Sequence, residues 1–199
     1  MKPAPDKRRV NLSGIIPISG RDNMLGMPWP DCLQYLAPEI PAVLKSVYEC
    51  ALVGCSTIWV VCNDHCLPTV REVLGDYVLD PQIYDSWNFK KIPHLSKEYI
   101  PIFYTPVPQK DRFRRDSLGW SVLQGSLTSF LVSNKISKWT RPTGYFVSFP
   151  YGLYDPSCLK AHRADIRSGS RCYAEYANKT VKDGLYLPFT FTPEDWVLF

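Results

Sequence analysis

The sequence has no long uninterrupted run of apolar residues. No stretch of its 199 residues approaches the ~20 apolar positions that a transmembrane helix requires, so we expect no membrane association. The N-terminus also lacks the apolar core of a secretory signal, and Lys7-Arg8-Arg9 gives residues 1–9 the character of a flexible tail. We therefore expect a cytoplasmic protein with a single domain over residues 10–199.

A strong charge of either sign is also lacking. The 23 Lys and Arg against 19 Asp and Glu leave a net charge of +4, and part of it lies in the N-terminal tail. This balance gives little reason to infer nucleic-acid binding. Hydrophobic residues make up 45% of the chain and charged residues 21%, which is ordinary globular composition and argues against disorder.

The seven cysteines cannot all pair with one another, because their number is odd. Several fall in predicted strands or helices, such as Cys50 and Cys55, and we expect reduced, mostly buried thiols. The run Cys62-Asn63-Asp64-His65-Cys66 could suggest zinc. However, neither Cys158 nor Cys172 has a Cys or His partner at ligand spacing, so structural thiols are the favoured interpretation. Nucleophile-elbow, GxGxxG and Walker motifs are missing from the sequence too.

What the sequence does contain is a strand–loop–helix–strand pattern over residues 10–64. An apolar run at 12–18 leads into a polar loop and a Pro/Gly-rich passage. An amphipathic segment at 40–53 follows, and Gly54 ends it before a β-branched run at 57–61. The helical spacing places Val43, Leu44, Val47 and Ala51 on an inner stripe and Lys45 and Glu49 on the outer face.

Strands and helices alternate along the rest of the chain. This order predicts an α/β/α three-layer sandwich with a mostly parallel central sheet, to which the last strands add antiparallel pairing. Pro101 and Pro106 favour a sheet edge or a bend for their strand. The predicted elements are helix 69–74 after Pro68, strands 77–79 and 99–104, helix 118–132 with Asp116-Ser117 as its cap, strand 145–149, helix 159–166, and strands at 170–176 and 185–191.

Polar residues follow the first two predicted strands directly. Ser19-Gly20-Arg21-Asp22-Asn23 and Asn63-Asp64-His65 should be neighbours across one crevice, because ligands bind at the carboxyl ends of parallel strands. The first loop is either a phosphate or sugar cradle or an ordinary turn whose polar side chains satisfy local backbone groups. Asp64 could bind a ribose hydroxyl and His65 could act as a base, or both could simply precede a helix.

A basic loop precedes the helix predicted at 118–132. It carries Lys110, Arg112, Arg114 and Arg115 within six residues. Arginine binds phosphate through two parallel hydrogen bonds, so these cations could clamp a nucleotide. The alternative is a solvated surface loop, partly neutralised by Asp111.

The order of elements resembles the nucleotidyltransferase-like (GT-A type) fold, which sugar-phosphate nucleotidylyltransferases share with related nucleotide-sugar glycosyltransferases. The resemblance is best over residues 14–64, continues more weakly over 116–156, and implies a nucleotide or nucleotide-sugar ligand and Mg²⁺. It rests on Ile15-Ile16-Pro17-Ile18-Ser19-Gly20, Pro30-Asp31, Leu33-Gln34-Tyr35-Leu36, Pro41-Ala42-Val43-Leu44 and Gly54.

The sequence departs from the family where the chemistry would lie. Gly20 stands at the first glycine of the family's Gly-x-Gly-Thr-Arg loop, but Asp22 occupies the second glycine position and Met24 the arginine position. Asp31 replaces the lysine of the family's Pro-Lys pair. In the family, glycines and cations let that loop hold phosphates. Asp22 and Asp31 carry negative charge instead, so they would repel a triphosphate.

The resemblance implies a set of site residues. A family strand ends in an acid that holds Mg²⁺, and here Asp155 is the first acid after the 145–149 strand. Asp183, which otherwise fits a turn with Gly184, would be the second metal ligand. The resemblance further implies Arg21 and Arg115 as catalytic cations and, as substrate-binding residues, Ser19, Gly20, Asn23, Asp64, Lys110 and Arg112.

Two functions follow from these residues. In the first, a sugar phosphate attacks the α-phosphate of a nucleoside triphosphate while Mg²⁺ and cations stabilise the developing charge. In the second, the chain is a catalytically silent member of the fold, and its many aromatic residues anchor a homo-oligomer or another protein partner.

Overall fold

A six-stranded sheet forms the centre of the fold. The computed structural model describes residues 10–19, 25–81, 99–108, 111 and 117–198, so the predicted tail at 1–9 lies outside the described residues. In chain order the strands are β1 (Leu12–Pro17), β2 (Tyr35–Ala37), β3 (Ile40–Pro41), β4 (Thr57–Cys62), β5 (Tyr77–Leu79), β6 (Tyr99–Pro106), β7 (Gly144–Val147) and β8 (Phe189–Phe191). Strands β2 and β3 form a separate hairpin, and the other six form the sheet in the order β5-β6-β4-β1-β7-β8.

The sheet is mostly parallel, as predicted. Strand β1 is parallel to both of its neighbours, β4 and β7, and β4 is parallel to β6. The two outer strands, β5 and β8, pair antiparallel with β6 and β7. The carboxyl ends of the four inner strands therefore lie at one edge of the sheet, which we call the carboxyl edge.

Helices cover both faces of the sheet. They are α1 (Ala42–Val53), α2 (Leu67–Leu74), α3 (Leu118–Ile136), α4 (Ser157–Ala161) and α5 (Arg163–Ile166), with 3-10 turns at Asp31–Leu33, Lys138–Thr140, Val181–Asp183 and Pro193–Leu198. Alternate residues of β1 point to opposite faces. Ile16 joins the core that contains Val47 of α1, and Ile15 joins the core that contains Val122 of α3. The predicted three-layer sandwich is confirmed.

Helix α3 runs antiparallel to β1 and packs closely on it. Near its start Ser121 meets Ser19, and two turns later the Ser129 hydroxyl donates to that of Ser13 at 3.1 Å. Between them lies Gly125, where an added Cβ would come within 2.7 Å of a Val61 methyl group. Small residues thus bring the helix backbone close to the sheet, and the start of α3 lies at the carboxyl edge.

Helix α1 ends where the sequence predicted. Gly54 adopts a left-handed conformation (φ of 82°), and its N–H donates to the Ala51 and Cys50 carbonyls. Such a C-terminal cap favours glycine because a side chain would be strained there. Five of the cysteines are buried, Cys172 is half-buried and Cys158 is exposed, and no disulfide joins them in the part of the chain that the structure describes. None of the described helices has the length and apolarity needed to cross a membrane.

Three sequence predictions are wrong in detail. Segment 170–176 runs beside β8 but is not a strand. The Cys172 N–H donates to the Thr190 hydroxyl rather than to a backbone carbonyl. Among the described residues, the only β-bridge between this segment and β8 joins Tyr173 to Phe189. Segment 159–166 breaks into α4 and α5 at His162. Strand β6 lies inside the sheet, and its prolines lie at the ends of its pairing: Pro101 is opposite Tyr77 of β5, before the register with β4 begins, and Pro106 is the last residue in register with β4.

Candidate functional site

The end of β1 is fixed against β4 and α3. The backbone N–H groups of Ile18 and Ser19 both donate to the Val61 carbonyl, at 2.9 and 3.1 Å. Ser19 is 4% exposed, and its hydroxyl oxygen lies 2.5 Å from that of Ser121 in the first turn of α3. The loop predicted as a phosphate cradle therefore starts beside the first turn of α3. Its residues Gly20, Arg21 and Asn23 lie outside the described residues.

The second predicted polar cluster follows β4. Asp64 and His65 are exposed in a turn, and the Asn63 carbonyl accepts from the N–H groups of Cys66 and Leu67 at 3.2 and 3.1 Å. This turn leads into α2. The cluster thus lies at the same edge of the sheet as Ser19. The predicted crevice between the two loops stays a prediction, because residues 20–24 lie outside the described residues.

The ends of the basic segment are also at this edge. The Val107 N–H donates to the Cys62 carbonyl at 3.1 Å, and Ser117 caps α3 by accepting from the Trp120 N–H at 3.2 Å. Four predicted cations lie between these two points but outside the described residues: Lys110, Arg112, Arg114 and Arg115. The first-turn N–H groups of α3 add a partial positive charge at this edge.

A cavity of about 580 Å³ opens beside the start of α3. Its walls come from the first turns of α3, from Phe149 just beyond β7, from β8, and from the segment between Arg171 and Tyr186. Apolar and aromatic side chains dominate it, with three charged residues among them. The lining residues are Leu118, Gly119, Val122, Phe149, Arg171, Tyr173, Val181, Lys182, Gly184, Leu185, Tyr186, Phe189, Phe191 and Asp195.

Of the charged lining residues, Asp195 is the buried one, at 3% exposure. It pairs with Arg171 and accepts from the N–H and hydroxyl of Thr192 at 2.8 and 3.2 Å. Burial alone would raise the pKa of Asp195, but the hydrogen bonds from Thr192 and Arg171 outweigh it and hold that pKa below its usual value. Two cations against one carboxylate leave the lining with a net charge of +1 (2 − 1).

Lys182 supplies the second of these cations. Its Nζ lies 4.6 Å from the centre of the Tyr173 ring, and that ring stacks on Phe189 at 6.1 Å between centroids. Because Arg171 is paired with Asp195, Lys182 is the lining cation best placed to meet an anionic group entering the cavity.

The two acids predicted as metal ligands each stabilise a local turn. Asp155 accepts from the N–H and the hydroxyl of Ser157, at 2.9 and 2.6 Å, and these hydrogen bonds lower the pKa of its exposed carboxyl. Asp183 accepts from the Thr180 N–H at 2.9 Å and lies between Lys182 and Gly184 of the cavity lining. Within the described ranges, no three His, Cys, Asp or Glu side chains come together as a metal-binding group.

The sequence prediction is wrong for Lys45 and Glu49, which do not point to solvent. Glu49 is fully buried, and its Oε1 lies 2.6 Å from the Lys45 Nζ. Its Oε2 accepts from the hydroxyls of Ser148 and Tyr154, both at 2.6 Å, and the Lys45 ammonium donates to the Gly152 carbonyl at 2.5 Å. Polar residues spaced four apart usually mark a solvent face, so the sequence carried no signal for this buried network.

Asp31 has a structural role as well. It is 7% exposed, and both carboxylate oxygens accept from the Leu25 N–H, at 3.2 and 3.3 Å. Asp31, at the position where the sequence resemblance implies a lysine, thus holds the end of the first loop.

The fold matches solved structures at low sequence identity. No known family profile matches the sequence, and a search of curated proteins returned no match. Mycobacterium tuberculosis H37Rv Rv0371c superposes with a TM-score of 0.54 at 12% identity, over 95% of this chain and 75% of that one. Its manganese complex gives a TM-score of 0.53 at 10% identity, over 95% and 74% of the two chains.

A third structure is that of a candidate glucose-1-phosphate thymidylyltransferase from Bacillus anthracis, bound to sucrose. Its TM-score is 0.55 at 10% identity, over 94% of this chain and 73% of that one. At such identities the likeness concerns the fold alone. The chain has a nucleotidyltransferase-like fold, as the sequence resemblance implied.

Proposed function

We propose that the protein binds a nucleotide or nucleotide-sugar at the carboxyl edge of its sheet, in the cavity beside the start of α3. The observation that carries this proposal is the cavity itself. Its volume of about 580 Å³ lies in the range of small-molecule sites, roughly 300–1,000 Å³, and such sites combine apolar walls with a few polar groups. Phe149, just beyond the carboxyl end of β7, and the start of α3 belong to its wall, and open parallel sheets bind ligands outside the carboxyl ends of their strands.

The lining residues suit the two halves of such a ligand. The aromatic faces of Phe149, Tyr186 and Phe189 offer apolar contact to a base or to the carbon face of a sugar. Lys182 offers a cation to a phosphate, and the first-turn N–H groups of α3 are oriented to favour an anion. Ser19, Gly20, Asn23, Asp64, Lys110 and Arg112 stay the proposed substrate-binding residues on the neighbouring loops.

Sugar-phosphate nucleotidyl transfer is the catalytic form of this proposal. A sugar-phosphate oxygen would attack the α-phosphorus of a nucleoside triphosphate and pyrophosphate would leave. Arg21 and Arg115 would stabilise the negative charge that develops at the phosphorus oxygens. Mg²⁺ commonly takes one or two carboxylates together with substrate phosphates, and Asp155 and Asp183 are the proposed carboxylates. When bound, the metal would neutralise phosphate charge.

A catalytically silent binding module is the second candidate. It is favoured by the arrangement of the acids: Asp31 replaces the family's lysine and binds a backbone N–H, while Asp155 and Asp183 each hold a turn. Such a module would keep the cavity and its ligand but not the metal-assisted transfer.

Isothermal titration calorimetry tests the proposal. The protein is titrated with nucleoside triphosphates and with UDP-, GDP- and CDP-sugars, with and without Mg²⁺ or Mn²⁺. Binding that weakens in Lys182→Ala supports the cavity site, and binding that needs metal and weakens in Asp155→Asn or Arg115→Ala supports transfer chemistry. Binding with no pyrophosphate release from triphosphate and sugar phosphate favours the silent module. No heat with any ligand at millimolar concentration contradicts the proposal.

A further inference from the structure

A buried polar network joins α1 to the segment that follows β7. Glu49 is its centre: one carboxylate oxygen meets the Lys45 ammonium, and the other accepts from Ser148 and Tyr154. The Lys45 side chain is only 10% exposed, and its Nζ also lies 4.4 Å from the centre of the Tyr154 ring. The network lies on the α1 side of the sheet, whereas the cavity lies on the α3 side.

Stability alone is a weak reason for such a pair. Removing two charges from water carries a large penalty, and an apolar replacement of similar volume often leaves a protein equally stable. The network does, however, hold segment 148–154 in a fixed position. Glu49 holds Ser148 and Tyr154, the two ends of segment 148–154, and Lys45 holds the Gly152 carbonyl between them.

The same segment also contacts the cavity wall, through Phe149 itself and through its contacts with Tyr186. A Cβ on Gly152 would lie 1.8 Å from the Tyr186 carbonyl oxygen, so the two backbones are in direct contact. The Tyr151 and Phe149 rings pack edge-on against the Tyr186 ring, with centroids 5.6 and 5.8 Å away. Phe149 and Tyr186 both line the cavity.

We propose that Lys45 and Glu49 are positioning residues for the ligand site: they fix segment 148–154 so that Phe149 and Tyr186 keep their places in the cavity wall. Neither residue lines the cavity. Their effect on a ligand passes through the Gly152 carbonyl and the Gly152–Tyr186 backbone contact. The inference rests on the proposed function for its ligand, but its geometric part is independent of any ligand.

The test replaces the whole network by apolar side chains. The variant Lys45→Met/Glu49→Leu/Ser148→Ala/Tyr154→Phe leaves no unpaired charge in the core, so it separates positioning from the damage caused by a broken ion pair. Val70→Ala is the control, because Val70 is fully buried in the same core but lies on α2. Hydrogen exchange and nucleotide-sugar titration are measured well below the unfolding temperature of each variant.

We expect faster exchange in segments 148–155 and 184–187 of the apolar variant and at least about tenfold weaker binding, with neither change in Val70→Ala. Unchanged exchange in these segments, or unchanged affinity despite faster exchange, would overturn the inference. If the wild type binds no member of the ligand panel, the proposed function fails, and the exchange data alone decide whether the network positions the segment.

A milder variant covers the case in which the fourfold replacement does not fold. Tyr154→Phe removes one hydrogen bond to Glu49 and keeps both charges. We expect it to change exchange and affinity in the same direction by a smaller factor. No change in either measurement would count against the positioning role.

Discussion

The hydroxyl of Ser19, at the end of β1, lies 2.5 Å from the hydroxyl of Ser121 in the first turn of α3. Both side chains are buried. This contact joins the start of the predicted phosphate loop to the helix end whose N–H groups carry partial positive charge. The carboxyl edge of the sheet is thus held together by polar contacts between distant parts of the chain.

The Ser19–Ser121 contact should be measurable as a coupling. Replacing either serine by alanine leaves the other hydroxyl with fewer partners, and we expect each variant to lose about 1–2 kcal/mol of unfolding free energy. The double variant should lose less than the sum of the two, because both single changes remove the same hydrogen bond. Urea unfolding of the four proteins measures this coupling. Strict additivity would show that the two hydroxyls do not interact.

Gly125 should resist substitution although it lies in the middle of a helix. Alanine there would gain about 1 kcal/mol in helix propensity. However, its Cβ would lie 2.7 Å from a Val61 methyl group and 3.0 Å from an Ile15 methyl group, in the buried core. Overpacking of this kind costs about 1–3 kcal/mol, so Gly125→Ala should lower the unfolding free energy by about 1 kcal/mol.

Gly119 provides the matched control on the same helix. A Cβ at this position would meet no atom within 4 Å, so alanine would raise the helix propensity without causing a clash. Thermal unfolding should rank Gly119→Ala above the wild type and Gly125→Ala below it. The reverse order would contradict the close packing of α3 on β1 and β4.

Because of Asp195, the free energy of unfolding should fall as the pH is lowered in the acidic range. Its folded pKa lies below the unfolded value because Thr192 and Arg171 donate to the carboxylate. The unfolded chain therefore binds the proton first as the pH falls. The stability that this group contributes is fully present above about pH 4 and is lost as the pH falls through the folded pKa.

Asp195→Asn should remove this part of the pH dependence. Urea unfolding between pH 6 and pH 3 would then show a shallower decline for the variant than for the wild type. Glu194→Gln, at the exposed neighbouring position, serves as the control and should follow the wild type. Equal declines in all three proteins would show that the Asp195 hydrogen bonds do not lower its pKa.

The sequence predicted the central strands and their mostly parallel pairing well, for a physical reason. Strands β1, β4 and β7 are covered by helices on both faces, so they appear as apolar, β-branched runs that contrast with their loops. Gly54 ends α1 through its left-handed backbone conformation, and Ser117 begins α3 through a side-chain hydrogen bond to the helix backbone. Both effects involve only neighbouring residues. Such local signals can be recognised without the fold.

Other features depend on contacts between distant residues. Lys45 and Glu49 carry charges that normally favour solvent. Their burial is stabilised by hydrogen bonds with Ser148, Gly152 and Tyr154, which lie far away in the sequence. The cavity also depends on contacts between distant residues, because its walls combine α3 with the segment between Arg171 and Tyr186. The loops with Arg21 and Arg115 lie outside the described residues, so their roles stay predictions.

Blocking the cavity tests whether it binds a nucleotide or nucleotide-sugar. Gly119 lines the cavity, and a Cβ there would meet no atom within 4 Å, so we expect the indole of Gly119→Trp to fill part of the cavity without disturbing the core. Leu131→Trp, at a 57% exposed position on the same helix, is the control. Calorimetry with UDP-, GDP- and CDP-sugars should show at least about tenfold weaker binding for Gly119→Trp and wild-type binding for Leu131→Trp. Equal affinity in all three proteins would contradict binding in this cavity.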